Sequence, residues 1–362
     1  MYCEPYVIFY HLQELWNGAW KIIKPTGEPR GEPPGFRSST KPTAKLPKPP
    51  VPYTTGWRFT AESHSVPAPT LVTRGCCMNS ESNKIERKQL SPVERCLKRP
   101  PLPGGKGHDS IRLEVIKLLK GGDGHNSQVF TVRLLAPASP SLPQVGTELV
   151  AKIYDPLYFD DDEGHLDPFL CMDKYYTHEA NAYKTLGEFQ GCGIPKYYGS
   201  YSLDLPVDST RKRTVRMILI EHIQGITMAD AKPEWFSQYA RQHIMKTIVD
   251  LESRIFEKDI WLVDLEPRNI IIRSAVDRQP HIVLIDLGHA LFNRRRDDPL
   301  ALQLNNFLGE YISPLLRWND AKAKGYAFSD WVDWDWDPWL ETEFAHTVAS
   351  ITPEMRERWS DE

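Results

Sequence analysis

Nowhere in this sequence does an apolar run reach the roughly 20 residues that a membrane-crossing helix needs. The most apolar part of the amino-terminal region, Tyr6 to Ile23, is interrupted by His11, Gln13, Glu14 and Asn17. Glu4 stands where a secretory signal would carry a basic residue. Neither a signal peptide nor a membrane span is therefore expected, which leaves a peripheral or partner-docking segment as the other reading of this stretch. Cysteine is also scarce. The six cysteines (Cys3, Cys76, Cys77, Cys96, Cys171 and Cys192) show no C-x-x-C spacing and no disulfide framework, so reduced thiols in a cytoplasmic or nuclear protein are expected. There is no excess of positive charge either. The net charge of −4 argues against a primary nucleic-acid binder. No internal repeat is evident.

Proline is abundant, and it is unevenly placed. More than half of the 30 prolines precede residue 110, including the basic run Lys45-Leu46-Pro47-Lys48-Pro49-Pro50-Val51-Pro52. Proline removes a backbone donor and fixes φ, so such a run joins a helix or sheet poorly. Residues 1–108 are expected to be a largely disordered, proline-rich arm. It would serve as a tether or dock onto a proline-reading domain.

Ordered sequence is expected from about Ile111. The alternation in Ile111–Leu119 predicts a strand. Gly121-Gly122-Asp123-Gly124-His125-Asn126-Ser127-Gln128-Val129 then reads as a glycine-rich turn into a second strand, with the spacing G-x-G-x-x-S-x-V. Gly122 and Gly124 let backbone N–H groups approach an anion. A third strand, Glu148–Tyr154, carries Lys152 among apolar neighbours. That lysine either lies on an edge strand and reaches to water or is held against phosphate oxygens. A helix is predicted from Asp173 to Gln190, with Glu179 on the same face as Tyr176, Ala180 and Tyr183. A carboxylate aimed at a core needs a partner, and Lys152 is the candidate.

Farther on, Val215–Gly225 reads as a strand ending in a short polar linker, and Trp235–Phe256 as an amphipathic helix with Ile244, Ile248, Leu251 and Ile255 at helical spacing. Two short apolar runs follow. They bracket a loop with Asp264 and Asn269, and the second run ends in Asp286-Leu287-Gly288. Acids at strand ends on a rigid scaffold are placed for ligand or metal.

In this order, the glycine-rich hairpin, strand lysine, helix glutamate, linker strand, long helix, Asp-x-x-x-x-Asn loop and Asp-x-Gly resemble the protein-kinase-like superfamily over roughly Ile111 to Leu291. The resemblance implies an α+β, bilobal fold: a small β-rich N-lobe over 109–223, a shortened and mainly helical C-lobe over 224–350, and a polar tail over 351–362. It implies ATP and Mg²⁺ as cofactors. Gly122, Gly124, Ser127 and Val129 would cover the nucleotide, and Lys152 would hold the α and β phosphates while pairing with Glu179. Ile220, Glu221 and Ile223 would frame the adenine. Asp264 would be the catalytic base, with Arg268 supplying charge nearby, and Asn269 and Asp286 would hold the metal. The acceptor would be a hydroxyl on an unknown protein or small molecule.

The sequence also departs from the pattern. Leu262-Val263-Asp264 replaces His-Arg-Asp, Glu266 replaces a lysine, Leu287 replaces a phenylalanine, and no Ala-Pro-Glu follows. These departures keep two alternatives open: a pseudokinase that binds nucleotide as a scaffold, and a small-molecule kinase. The acidic run Asp160–Glu163 and the basic run Arg294-Arg295-Arg296 are expected to be solvated loops. The tryptophans 331, 334, 336 and 339 are expected to pin a short carboxy-terminal segment.

Overall fold

A computed structural model describes residues 48–73, 75–136, 142–159, 165–273, 280–292, 307–318 and 327–359. The Asp160–Glu163 and Arg294–Arg296 runs lie outside these residues, as does 1–47. The fold is mixed α+β, with one large antiparallel sheet and several helices.

The sheet closes on itself. Strands β1 (Arg58–Ser65), β2 (Gly105–Lys120), β3 (Gln128–Ala136), β4 (Glu148–Tyr154), β5 (Tyr197–Pro206) and β6 (Lys212–Glu221) form a barrel in the order β1-β2-β3-β4-β6-β5. Phe59, Leu113, Val115, Phe130, Val132, Ala151, Met217 and Leu219 fill its interior. The opposite face of β4 and β6, with Val150, Tyr154, Ile218 and Ile220, joins a second core built with α3 (Pro168–Thr185) and α4 (Gln238–Glu257). With apolar neighbours on both faces, β4 reads as a nearly continuous apolar run, and all of it except Glu148 is buried. In α4, Ile244, Ile248, Leu251 and Ile255 all face inward, as their spacing predicts.

The expected arm needs correction over 48–108. Within it, β1 pairs with both β2 and β5 and so closes the barrel. Two helices, α1 (Glu81–Gln89) and α2 (Pro92–Lys98), follow. Ser91 caps α2 through a capping box with Glu94, and Pro92 stands in its first turn. From residue 48 on, the described part of the proline run packs against the barrel as a strap. Tyr158 donates its hydroxyl to Pro50 O at 2.8 Å. Tyr53 donates to Asp155 Oδ2 at 2.5 Å, and the same buried carboxylate receives Arg213 at 2.6 and 2.8 Å. Proline stopped this segment from joining the sheet but left its carbonyls and side chains able to bond.

It follows that the fold starts well before residue 109. A chain beginning at residue 48 is expected to unfold cooperatively on heating. A chain beginning at residue 109 loses β1, exposes the edges of β2 and β5, and is expected to aggregate. Circular dichroism melting and size-exclusion chromatography of the two chains distinguish these outcomes.

The rest of the described chain is a set of short ladders and helices under the barrel. β8 (Ile260–Leu262) pairs with β11 (Ala290–Phe292), and β9 (Ile270–Arg273) pairs with β10 (His281–Leu284) and β7 (Ile226–Thr227). Helices α5 (Pro314–Arg317), α6 (Trp336–Glu343) and α7 (Pro353–Trp359) complete it. The tryptophans have the packing role expected of them. Trp331, Trp336 and Trp339 are buried with Phe344 in the second core and Trp334 packs against it, and Trp336 donates its indole N–H to Trp318 O at 2.8 Å. The six-stranded barrel with α3 and the segments below it frames the cleft described next.

Candidate functional site

Lys152 does not lie at a sheet edge. β4 is bonded to β3 on one side and β6 on the other, with Lys152 opposite Val129 and Ile218. Directly opposed residues share a face, so Lys152 leaves the barrel on the side that meets α3. That helix begins at Pro168, earlier than the expected Asp173. Asp167 caps it by accepting from the N–H groups of Phe169 and Leu170, and Pro168 needs no donor there. The helix ends at Thr185, and a 3₁₀ turn at Gly187–Phe189 replaces its expected last turn.

Glu179 lies on the buried face of α3. Lys152 Nζ is 2.7 Å from Glu179 Oε2 and 2.7 Å from Asp286 Oδ1, so one ammonium bridges two carboxylates. Tyr154, two residues after the lysine on the same face, donates its hydroxyl to Glu179 Oε2 at 2.6 Å. Burial disfavours the Lys152 ammonium, but Asp286 and Glu179 outweigh it and raise its pKa. Burial also acts on Asp286, yet Lys152 and then His289 hold its carboxyl well below the usual range. Glu179 is raised, chiefly by burial, with Lys152 opposing. Its Oε1 has no hydrogen-bond partner among the described residues.

Asp286 has a φ of 63°, in the left-handed region that a non-glycine residue seldom occupies. Such strain clusters at working sites. Gly288 N–H approaches Asp286 Oδ1 at 3.3 Å. A Cβ on Gly288 would lie 3.1 Å from Glu179 Oε2 and 3.3 Å from Asp286 Oδ1. Gly288→Ala is therefore expected to push the carboxylates off the lysine and to cost about 1–3 kcal/mol of stability. Denaturant unfolding of the variant measures this, and Gly288→Ala melting like wild type would show the cluster to be slack.

Asp264 follows β8 by two residues. Asn269 Nδ2 donates to Asp264 O and to Asp264 Oδ2, both at 2.9 Å, which locks the loop. Arg268 donates to Asp264 Oδ1 at 2.5 Å and also pairs with Glu266. Glu266 is thus turned onto Arg268. His289 Nδ1 is 3.7 Å from Asp264 Oδ2, and its ring meets Tyr175 edge-on. Burial, above all, pushes His289 down to about 3, so the imidazole beside Asp264 is neutral at neutral pH. Burial likewise raises Asp264, against the pull of Arg268. A small cavity is lined by Val263, Asp264, Asn269, Asp286 and His289, which places the two acids, the amide and the imidazole on one void.

The residues expected to hold a metal fit a hard cation in part. Asn269 uses its amide nitrogen on Asp264, leaving the amide oxygen as a donor, and Asp286 uses only Oδ1 on Lys152. Oxygen donors suit Mg²⁺, which keeps waters and phosphate oxygens in its shell. Among the described residues no three or more His, Cys, Asp or Glu side chains cluster to hold a metal ion alone.

The glycine-rich turn is arranged differently from the expectation. Gly122 N–H donates to Gln128 Oε1, and Gln128 Nε2 returns to Gly122 O, each at 2.8 Å. The N–H groups of Gly124 and His125 both donate to Tyr158 O, at 2.9 and 3.2 Å. Asp123 is held at 2.6 Å by Lys48 of the strap. In this conformation the turn offers an anion few of its backbone donors. Ser127 is buried, and Val129 is packed against the second core. At the end of β6, Ile220 is buried, Glu221 N–H donates to Lys196 O at 2.8 Å, and Ile223 is buried just beyond.

Sequence reasoning missed three further residues. His178, the neighbour of Glu179, places its ring nitrogens 2.6 Å from Ala290 O and 2.8 Å from Thr70 O, tying α3 to β11 and to the chain after β1. His289 comes directly after Asp-Leu-Gly, and Tyr154 two residues after Lys152. Proximity in sequence was the available signal for all three. No family model matches this chain, and no curated protein matches it.

Proposed function

We propose that the chain is an ATP- and Mg²⁺-dependent phosphotransferase with a bilobal, protein-kinase-like fold, transferring the γ-phosphate to a hydroxyl. The observation that carries this reading is the double ion pair of Lys152 with Glu179 and Asp286, each at 2.7 Å. Burying an ammonium between two carboxylates costs desolvation, so stability alone is a weak reason for such a cluster. A nucleotide would use that charge: its phosphates would pair with Lys152, and Asp286 would be left to help hold the cation. When bound, Mg²⁺ would neutralise charge on the phosphate oxygens. Asn269 and Asp286 would hold it. Asp264 orients the acceptor hydroxyl and takes its proton, and a raised carboxyl is a better base than an ordinary one. Arg268 and Asn269 keep that carboxylate in place.

The tied-down glycine turn favours a second reading, a pseudokinase that binds nucleotide without transfer. The two readings separate in one assay. Wild-type protein is incubated with γ-labelled ATP and with protein and metabolite mixtures as acceptors, with and without Mg²⁺. Label transfer that requires Mg²⁺ supports the enzyme. Nucleotide binding without transfer to any acceptor supports the scaffold.

A further inference from the structure

We propose that Lys120 binds the nucleotide's phosphate chain, supplying the positive charge that the tied-down glycine turn does not. This rests on the phosphotransferase reading and assigns a substrate-binding residue outside the pattern that suggested it.

The case begins with sheet register. Lys120 is the last residue of β2 and stands opposite Val129 of β3, which stands opposite Lys152 of β4. Opposed residues share a face, so the three side chains form one row on the side of the barrel that meets the cleft. Two strand spacings separate the lysines, about 10 Å at the backbone. The register shifts between Leu118 and Lys120, so a bulge at Leu119 sets which face Lys120 takes. Bulges re-aim side chains beside working sites.

Lys120 is exposed and makes no ion pair among the described residues. The nearby backbone donors are engaged elsewhere: Gly122 with Gln128, and Gly124 and His125 with Tyr158. A polyphosphate anchored on Lys152 would find Lys120 as the mobile cation on its other side. Lysine serves phosphate as a point charge and tolerates such a loose geometry.

Isothermal titration with Mg-ATP and with adenosine tests this on the full chain, as wild type, Lys120→Met, Lys120→Arg and, as an exposed control at the far end of the same strand, Lys106→Met. A charge-assisted contact predicts that Lys120→Met weakens Mg-ATP binding about tenfold. Adenosine affinity should be unchanged, Lys120→Arg should restore most of the loss, and Lys106→Met should match wild type. Unchanged Mg-ATP affinity in Lys120→Met overturns the inference while leaving the phosphotransferase reading intact. So does an equal loss for adenosine, which would mark a general disturbance. Wild type that binds no Mg-ATP overturns both.

Discussion

Replacing Asp264 by asparagine is expected to lower phosphoryl transfer by about two to four orders of magnitude, the usual contribution of a positioned general base. Mg-ATP affinity should stay within a few-fold of wild type. The substitution keeps the side-chain shape and one carbonyl oxygen, so the bond from Asn269 can persist. It removes the carboxylate proposed to accept the proton, and the charge that Arg268 neutralises. Arg268 retains Glu266 as a partner, so no cation is stranded. Single-turnover transfer of γ-labelled ATP, with binding measured separately, gives both numbers. Equal, non-zero transfer by wild type and Asp264→Asn would remove Asp264 from the role of base.

The second large effect concerns stability and binding together. Lys152→Met removes the ammonium between Glu179 and Asp286 and leaves the buried Glu179 carboxylate facing the half-buried Asp286 carboxylate. Breaking a buried pair by deleting one partner costs about 3–5 kcal/mol. The double variant Lys152→Met/Glu179→Gln removes one of the stranded charges and keeps an acceptor for the Tyr154 hydroxyl. It should recover much of the lost stability in urea unfolding but none of the Mg-ATP binding. If the double variant unfolds no later than the single one, Glu179 and Lys152 are not energetically coupled, whatever their separation.

How far the sequence was readable depended on whether the signal was local. β4 and α4 were legible because their apolar periodicity reports burial directly. β1 alternates too, with Phe59 and Ala61 inward and Arg58, Thr60 and Glu62 outward, but it lies inside a proline-rich region whose composition argued for disorder. The capping box at Ser91-Pro92-Val93-Glu94 is a local helix signal in that same region, one that a reading by composition passes over. Lys152, Glu179 and Asp286 could be singled out one at a time, because a charge in an apolar run is conspicuous. That one ammonium meets both acids could not be read, since it depends on the crossing of β4 and α3 and on the left-handed backbone at Asp286. The state of the glycine turn was hidden for a related reason. Its N–H groups end on the Gln128 side chain and on Tyr158 O, and glycine spacing says nothing about where a donor goes. Lys120 needed the register, including one bulged residue.

The central claim is that the Lys152 cluster is a Mg-nucleotide site. The most direct test is thermal unfolding of wild type and of Lys152→Met/Glu179→Gln, each titrated with ATP in the presence and absence of Mg²⁺. A ligand at 100 times its Kd stabilises the native state by about 2.7 kcal/mol, a shift of several degrees. Wild type should show that shift with Mg-ATP and a much smaller one without Mg²⁺, and the double variant should show neither. No shift of wild type at millimolar Mg-ATP, or an equal shift in the double variant, would contradict the assignment.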